Sequence, residues 1–305
     1  MQQLPDFIVI GAQKAGTTAL RHALTQHPQI YLPSFPEPAF FSFEGGAPDF
    51  EGPQSPASRF GLIPTLEAYT DLFRGAGIGQ VLGDISSHYS YCWPKRTAAC
   101  MHHHVPNARI IAILRQPADR AYSAFNMMRQ KGLEPLANFT DALTAEGASQ
   151  RANWTPDFFY RRNGMYFTNL DPYFRLFGSQ QIRIFLYEEW AARPAQVLAE
   201  ICRFLEIDNP PPVDLNKQHR ESLQPRNATG QQMLRQSQNW LKPVRNVLPS
   251  GLKKRLRAWL WIHPAPLCPT VRQELTESYM QEIMKLQELI QQDLRSWLAD
   301  GSERN

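Results

Sequence analysis

The chain reads as a three-layer α/β fold, a central parallel sheet between helices, continued by a helical extension at the C-terminus. Three observations predict it. Short apolar runs of strand length recur at residues 7–10, 81–82, 109–114 and 182–187. Segments of helical period follow the first, third and fourth of them. The first and third runs also end in turns that open directly into a helix, the arrangement of a parallel sheet with crossover helices.

Composition agrees with one sizeable core. The 305 residues are 43% hydrophobic, enough for a single α/β domain of this length. The net charge of +4 comes from 32 basic and 28 acidic residues, too even a balance for nucleic-acid binding as the main function. Cys92, Cys100, Cys202 and Cys268 are widely spaced and form neither a CxxC pair nor a metal-ligand pattern, which predicts free thiols in a reducing compartment. Nothing before Phe7 has the pattern of a signal peptide, and no apolar run approaches the roughly 20 residues that span a bilayer.

The first strand, Phe7-Ile8-Val9-Ile10, leads into Gly11-Ala12-Gln13-Lys14-Ala15-Gly16-Thr17-Thr18 and then into the helical pattern of Ala19, Leu20, Ala23 and Leu24. Strand, glycine-bearing loop and helix together make an anion site. Backbone N–H groups and the positive end of the helix face the ligand, and the Thr17 and Thr18 hydroxyls add donors. The glycine spacing is that of the nucleotide-triphosphate loop G-x-x-x-x-G-K-[ST], but Thr17 stands where the lysine belongs and the cation has moved to Lys14. A kinase needs its lysine on the β/γ-phosphates beside Mg²⁺. A lysine inside the loop instead suits a bridging oxygen next to a 5′-phosphate, and hence transfer of a sulfuryl group, which carries less charge and moves without a metal.

After the strand at 109–114 comes Arg115-Gln116-Pro117-Ala118-Asp119-Arg120-Ala121-Tyr122-Ser123, with Pro117 at the first helical position. Arg115 and Ser123 can both face the crevice at the carboxyl edge of a parallel sheet, one offering a guanidinium fork and the other a hydroxyl. A second phosphate is the implied ligand.

These two segments, GAQKAGTTAL and LRQPADRAYS, resemble the cofactor motifs of sulfotransferases that use 3′-phosphoadenosine 5′-phosphosulfate (PAPS). The similarity is greatest to the heparan sulfate N-sulfotransferase domain and its bacterial relatives, and it runs from Phe7 to about Leu205. It implies a P-loop-type fold and sulfuryl transfer to a hydroxyl or amine of a carbohydrate, lipid or other small molecule, with 3′-phosphoadenosine 5′-phosphate (PAP) as product. Residues 1–230 then form the PAPS-binding domain, and 231–305 a helical extension packed on it. By resemblance the loop of Gln13, Lys14, Ala15, Gly16, Thr17 and Thr18 takes the 5′-phosphosulfate, and Arg115 and Ser123 take the 3′-phosphate. A cytoplasmic, bacterial enzyme using the cell's own PAPS pool is expected.

The same resemblance picks out Pro36-Glu37-Pro38-Ala39-Phe40-Phe41, where relatives carry a Lys-Glu-x-x-Phe-Phe-like motif with a basic glutamate. Glu37 is therefore the candidate general base, and the neighbouring phenylalanines are expected to raise its pKa by desolvation. Pro36 and Ala39 depart from the pattern. At Gly83-Asp84-Ile85-Ser86-Ser87-His88-Tyr89 the relatives place a lysine near the sulfate; Ile85 cannot act so, which leaves His88 as a polar substitute and competing base. Tyr166, in Gly164-Met165-Tyr166, is a nucleotide contact by resemblance, whereas Tyr173, Phe174 and Phe177 read as core. Arg226 is the candidate for a basic loop closing over the phosphates.

His102-His103-His104 cannot converge on one ion, because consecutive helical side chains point about 100° apart, so no metal is predicted. Residues 45–65 read as a long irregular loop beside the acceptor site. Residues 251–262, basic and rich in tryptophan, pack on the domain or dock on a membrane surface or carrier protein. A P-loop nucleotide kinase and a catalytically silent nucleotide-binding protein remain the alternatives.

Overall fold

The computed structural model describes residues 3–53, 62–208, 224–225, 261–262 and 264–298. Its sheet contains β1 (Phe7–Gly11), β2 (Ile30–Tyr31), β3 (Val81–Ile85), β4 (Arg109–Leu114) and β5 (Ile182–Leu186), in the order β2-β3-β1-β4-β5. Every pairing is parallel, with Phe7 opposite Gly83 on one side and Arg109 on the other. Each strand of β1 and β4 is an apolar run because helices cover both faces of the sheet. The chain thus has the three-layer α/β architecture its pattern predicts.

The connecting helices are α1 (Thr17–Thr25), the short α2 (Phe40–Phe43), α3 (Leu66–Asp71), α4 (Pro94–His104), α5 (Pro117–Gln130), α6 (Phe139–Gly147), α7 (Tyr166–Phe177), α8 (Tyr187–Ala192) and α9 (Pro194–Phe204). Pro117 does open α5, and the Gln116 side chain caps it by accepting from the Asp119 N–H at 2.8 Å. The last strand ends one residue earlier than its pattern suggests: Tyr187 belongs to α8, whose first turn holds Glu188 and Glu189 at the positive end of the helix. Tyr173 and Phe177 are buried as core residues, and Phe174 is half-buried. In the irregular segment at 45–65, residues 45–53 and 62–64 hold neither helix nor strand beyond one bridge from Glu51 to Trp154, and residues 54–61 lie outside the described part.

Near the C-terminus α10 (Pro269–Ile290) and α11 (Arg295–Leu298) pack on the sheet's helices. The contacts are specific. Gln116 Nε2 donates to Thr276 Oγ1 at 2.9 Å and to the Trp297 carbonyl at 3.3 Å, and Arg272 Nε pairs with Asp119 Oδ1 at 3.0 Å. The boundary at residue 230 lies outside the described residues. Of 251–262 only the strand β7 (Trp261–Ile262), antiparallel to β6 (Gln224–Pro225), is described.

One buried ion pair braces the segment between α6 and α7. Arg151, 2% exposed, forks onto Glu134 with both N···O distances 2.8 Å, and the Tyr160 hydroxyl donates to the same carboxylate at 2.5 Å. A fully satisfied buried carboxylate of this kind fixes the path of the chain through Asp157.

Candidate active site

The sheet order sets β1 between β3 and β4, so the carboxyl ends of these three strands meet at the point where the chain's progression reverses. The loop leaving β1 needs glycine twice. Gly11 sits at φ 147°, and a β-carbon there would run into the Ser90 hydroxyl; Gly16 caps α1 at φ 96°, with Trp190 Cδ1 only 3.1 Å from where a β-carbon would stand. Lys14 adopts the left-handed region too, at φ 71°. The loop is pinned to β4 by the Ala12 N–H donating to the Ile113 carbonyl at 2.7 Å. Lys14 and Gly16 are half-buried, Gln13, Ala15 and Thr17 buried, and Thr18 exposed.

Arg115 follows directly from β4, and its Nη1 lies 3.4 Å from the Lys14 carbonyl while its guanidinium stacks 4.8 Å from the Tyr187 ring. The two motifs therefore converge, although about a hundred residues separate them. Ser123 is half-buried on α5. Tyr166 is buried, and its hydroxyl donates to the Arg115 carbonyl at 2.9 Å, so it steadies Arg115 from behind. Arg226 lies outside the described residues.

The segment carrying Glu37 is held in an uncommon shape. Glu37 and Ala39 both have positive φ, 51° and 54°, a conformation that non-glycine residues keep only where surroundings enforce it. Arg21 of α1 donates to the Pro33 carbonyl, and the Ala39 N–H donates to Ser86 Oγ at 3.1 Å. Ser86 in turn donates to Asp84, which also accepts from the Tyr69 and Tyr89 hydroxyls, each at 2.7 Å. Asp84 is fully buried, and burial raises its pKa against these hydrogen bonds.

Glu37 and His88, read from the sequence as rival bases, are partners. Glu37 Oε2 lies 3.2 Å from His88 Nδ1, and Glu37 Oε1 accepts from the Ser87 hydroxyl at 2.9 Å. On its other side His88 Nε2 lies 4.0 Å from Asp157 Oδ1. Asp157 accepts from Gln13 Nε2 at 2.7 Å and from the Tyr91 hydroxyl at 3.3 Å. Polar side chains thus line up from the loop after β1 through Gln13, Asp157 and His88 to Glu37, with the widest step, 4.0 Å, between Asp157 and His88. They differ in access: the Glu37 side chain is 38% exposed, His88 6% and Asp157 4%.

The electrostatics correct one expectation. Burial alone pushes the Glu37 carboxyl up, as its phenylalanine neighbours suggest, but the hydrogen bond and charge of His88, with the Ser87 hydroxyl, outweigh it and hold the carboxylate below its ordinary range. Burial disfavours the charged imidazole of His88, yet Glu37 and then Asp157 overcome it and raise the pKa. The side chain of Gln13 is likewise turned inward to Asp157. Asp157, Tyr91 and Ser87 are missed by sequence reasoning, and only Ser87 has a local signal, as the neighbour of His88.

A separate cavity of about 400 Å³, lined by Arg109, Arg183, Arg203 and Phe204 among others, lies at the opposite edge of the sheet, where β4 and β5 begin. It touches none of the candidate residues. The cysteine reading also needs one amendment: Cys100 joins Glu44 and His104 in a cluster of metal-ligand type.

A family model described as the sulfotransferase domain matches residues 4–239, well over half of the chain. The chain belongs to the PAPS-dependent sulfotransferase family. This sulfotransferase domain is 30% identical over 211 residues to the human bifunctional heparan sulfate N-deacetylase/N-sulfotransferase 2, a match covering 67% of the chain and 22% of that protein. The Drosophila melanogaster bifunctional heparan sulfate N-deacetylase/N-sulfotransferase is 31% identical over 222 residues, covering 67% of the chain and 20% of the relative. The chain thus spans about a fifth of the length of these curated relatives. Among solved structures, a sulfotransferase from Alicyclobacillus acidocaldarius superposes with a TM-score of 0.75 at 28% identity, covering 97% of this chain and all of that one. Among the described residues no helix is long and apolar enough to cross a membrane.

Proposed function

We propose that this sulfotransferase domain moves the sulfuryl group of PAPS to a hydroxyl or amine acceptor, releasing PAP. The observation that carries the reading is the meeting of Lys14, Arg115 and the Glu37–His88 pair at the carboxyl ends of adjacent strands. The loop N–H groups and Thr17 and Thr18 take the 5′-phosphosulfate, while Arg115 and Ser123 take the 3′-phosphate. The acceptor oxygen or nitrogen attacks sulfur in line with the bridging oxygen of the 5′-phosphate. The new bond to sulfur forms as that bridging S–O bond breaks, leaving its electron pair on PAP.

Lys14 neutralises the charge growing on the departing oxygen, an interaction stronger in the transition state than before it. The acceptor proton passes to Glu37, the accessible member of the pair. A carboxylate held below its ordinary pKa is a weak base, and such a base suits a late proton transfer, once bonding to sulfur has made the hydroxyl acidic. His88, whose pKa Glu37 and Asp157 raise against its burial, orients Glu37; Asp157 positions His88. No step of this reading uses a metal.

In the same reading residues 231–305 form an extension of the single domain, a view supported by the Gln116–Thr276 and Asp119–Arg272 contacts. Arg226 closes over the nucleotide, and residues 251–262 are where a membrane surface or carrier protein would dock. In the same reading the setting is cytoplasmic, as the wide spacing of the four cysteines in the sequence leads one to expect. The test is incubation with ³⁵S-labelled PAPS and a mixed extract of sugars, lipids and carrier-bound acids. Label transferred to an acceptor supports the reading. It is overturned if ATP with Mg²⁺ binds more tightly than PAP, the behaviour of a kinase, or if PAP binds and no acceptor is ever labelled, the behaviour of a silent binding protein.

A further inference from the structure

We propose that Glu44, Cys100 and His104 form a binding site for one divalent cation of zinc type, on the face of α4 next to α2. Cys100 and His104 lie four residues apart on α4 and so share one face of the helix. Glu44, the residue just after α2, brings its carboxylate between them. Cys100 Sγ lies 3.1 Å from Glu44 Oε2, His104 Nε2 lies 2.8 Å from Glu44 Oε1, and the three donor atoms all fall within 4.8 Å of one another.

Binding an ion asks the two carboxylate contacts, 2.8 and 3.1 Å, to open by a few tenths of an ångström and the sulfur and nitrogen to settle round one centre. A tetrahedral zinc with arms of about 2.0 Å to nitrogen and oxygen and about 2.3 Å to sulfur sets its donors about 3.3–3.5 Å apart. The donor set selects the class of metal, because sulfur with imidazole favours zinc and its neighbours over calcium or magnesium, which take all-oxygen sites.

The third ligand is placed by contacts that no ion supplies. Arg96, one turn before Cys100 on the same helix, donates to the Glu44 carbonyl at 3.0 Å, and the Gly45 N–H donates to the Pro64 carbonyl at 2.9 Å. One side of the cluster is walled by aromatic rings, with Phe40 5.5 Å and Phe41 6.3 Å from the His104 imidazole. The other side is open: the Glu44 side chain is 41% exposed against 11% for His104, which gives an entry path and a fourth position for water.

The chemistry balances simply. Without an ion the Cys100 thiol donates to the Glu44 carboxylate at 3.1 Å. As the sulfur–metal bond forms, that proton leaves to solvent, and His104 binds as the tautomer with Nε2 unprotonated. No oxidation is involved. The ion fastens the end of α2, just beyond the Glu37 segment, to α4, and is separate from the sulfuryl transfer proposed above. Of His102-His103-His104 only the last takes part, since consecutive helical side chains diverge.

The experiment is a Co²⁺ titration of the untagged full chain, reading thiolate-to-cobalt charge transfer in the near ultraviolet, followed by displacement with Zn²⁺. One equivalent should bind with a charge-transfer band that zinc abolishes. Cys100→Ser should remove the band, His104→Gln should weaken binding by at least the roughly 10–100-fold cost of losing an outer partner, and Cys268→Ser at the exposed thiol should change nothing. Glu44→Gln, on the open side of the cluster, tests the site independently of the two more enclosed ligands and should also cost about tenfold or more. The proposal fails if no saturable charge-transfer band appears, or if the band survives Cys100→Ser in folded protein.

Discussion

Glu37 Oε2 and His88 Nδ1 stand 3.2 Å apart, joining a half-exposed carboxylate to a buried imidazole that faces a second carboxylate, Asp157, on its far side. Each group shifts the titration of the other, so the contact has a pH behaviour of its own.

That behaviour has a definite window. Glu37 is lowered from 4.5, so its stabilising contribution is full above that value and is lost as pH falls through the folded pKa. His88 is raised from 6.5, so its contribution is full below 6.5 and is lost as pH rises through the folded pKa. The coupling in a Glu37→Gln/His88→Gln double-mutant cycle should therefore be largest between those two values and smaller at both extremes. A coupling flat from acid to alkaline pH would remove the ion pair from the account.

Asp157→Asn keeps the shape and its hydrogen bonds but takes a charge away from His88. The His88 pKa, read by NMR, should fall, while PAP affinity changes little. An unchanged His88 titration would mean that Asp157 only packs.

Glu37→Gln cannot accept a proton, so kcat with a hydroxyl acceptor should drop by about 10²–10⁴ while PAP binds as before. If instead the variant works within a few-fold of wild type and His88→Ala is far worse, the proton goes to the imidazole. The measurement is single-turnover sulfuryl transfer beside a PAP titration.

Lys14→Ala should lower turnover much more than nucleotide affinity, because its charge meets its partner fully only in the transition state. Arg115→Ala should show the reverse split, weakening PAP by about 1.5–3 kcal/mol, the usual worth of a hydrogen bond to a charged group. Isothermal titration with PAP and with adenosine 5′-phosphate checks the second: an Arg115 variant that still tells them apart as wild type does would falsify the 3′-phosphate assignment.

Glu134→Ala strands the Arg151 guanidinium, 2% exposed, without its carboxylate. Breaking one side of such a buried pair costs about 3–5 kcal/mol, which denaturant unfolding should register. A loss under 1 kcal/mol, on the order of an exposed pair, would mean that water reaches Arg151.

What the sequence determined by itself is contiguous. The strands β1 and β4, the glycine loop with its displaced lysine and the proline-opened helix after Arg115 are each written in a run of neighbouring residues. Local backbone sterics and apolar period decide them before any distant contact forms. The site's couplings are of another kind. Nothing near Thr155-Pro156-Asp157 signals a carboxylate aimed at His88, and no pattern ties Gln13 to it. The direction of the Glu37 shift depended on which groups the fold set beside it: burial is its largest single cause and raises the pKa, but the His88 imidazole and Ser87 hydroxyl brought by the turn after β3 together outweigh it. Glu44 likewise meets Cys100 and His104 only because α2 packs on α4. A helix or a loop follows from short-range geometry, whereas a pKa or a ligand cluster follows from charges and donors a few ångströms apart in space, and those distances exist only once the sheet has closed.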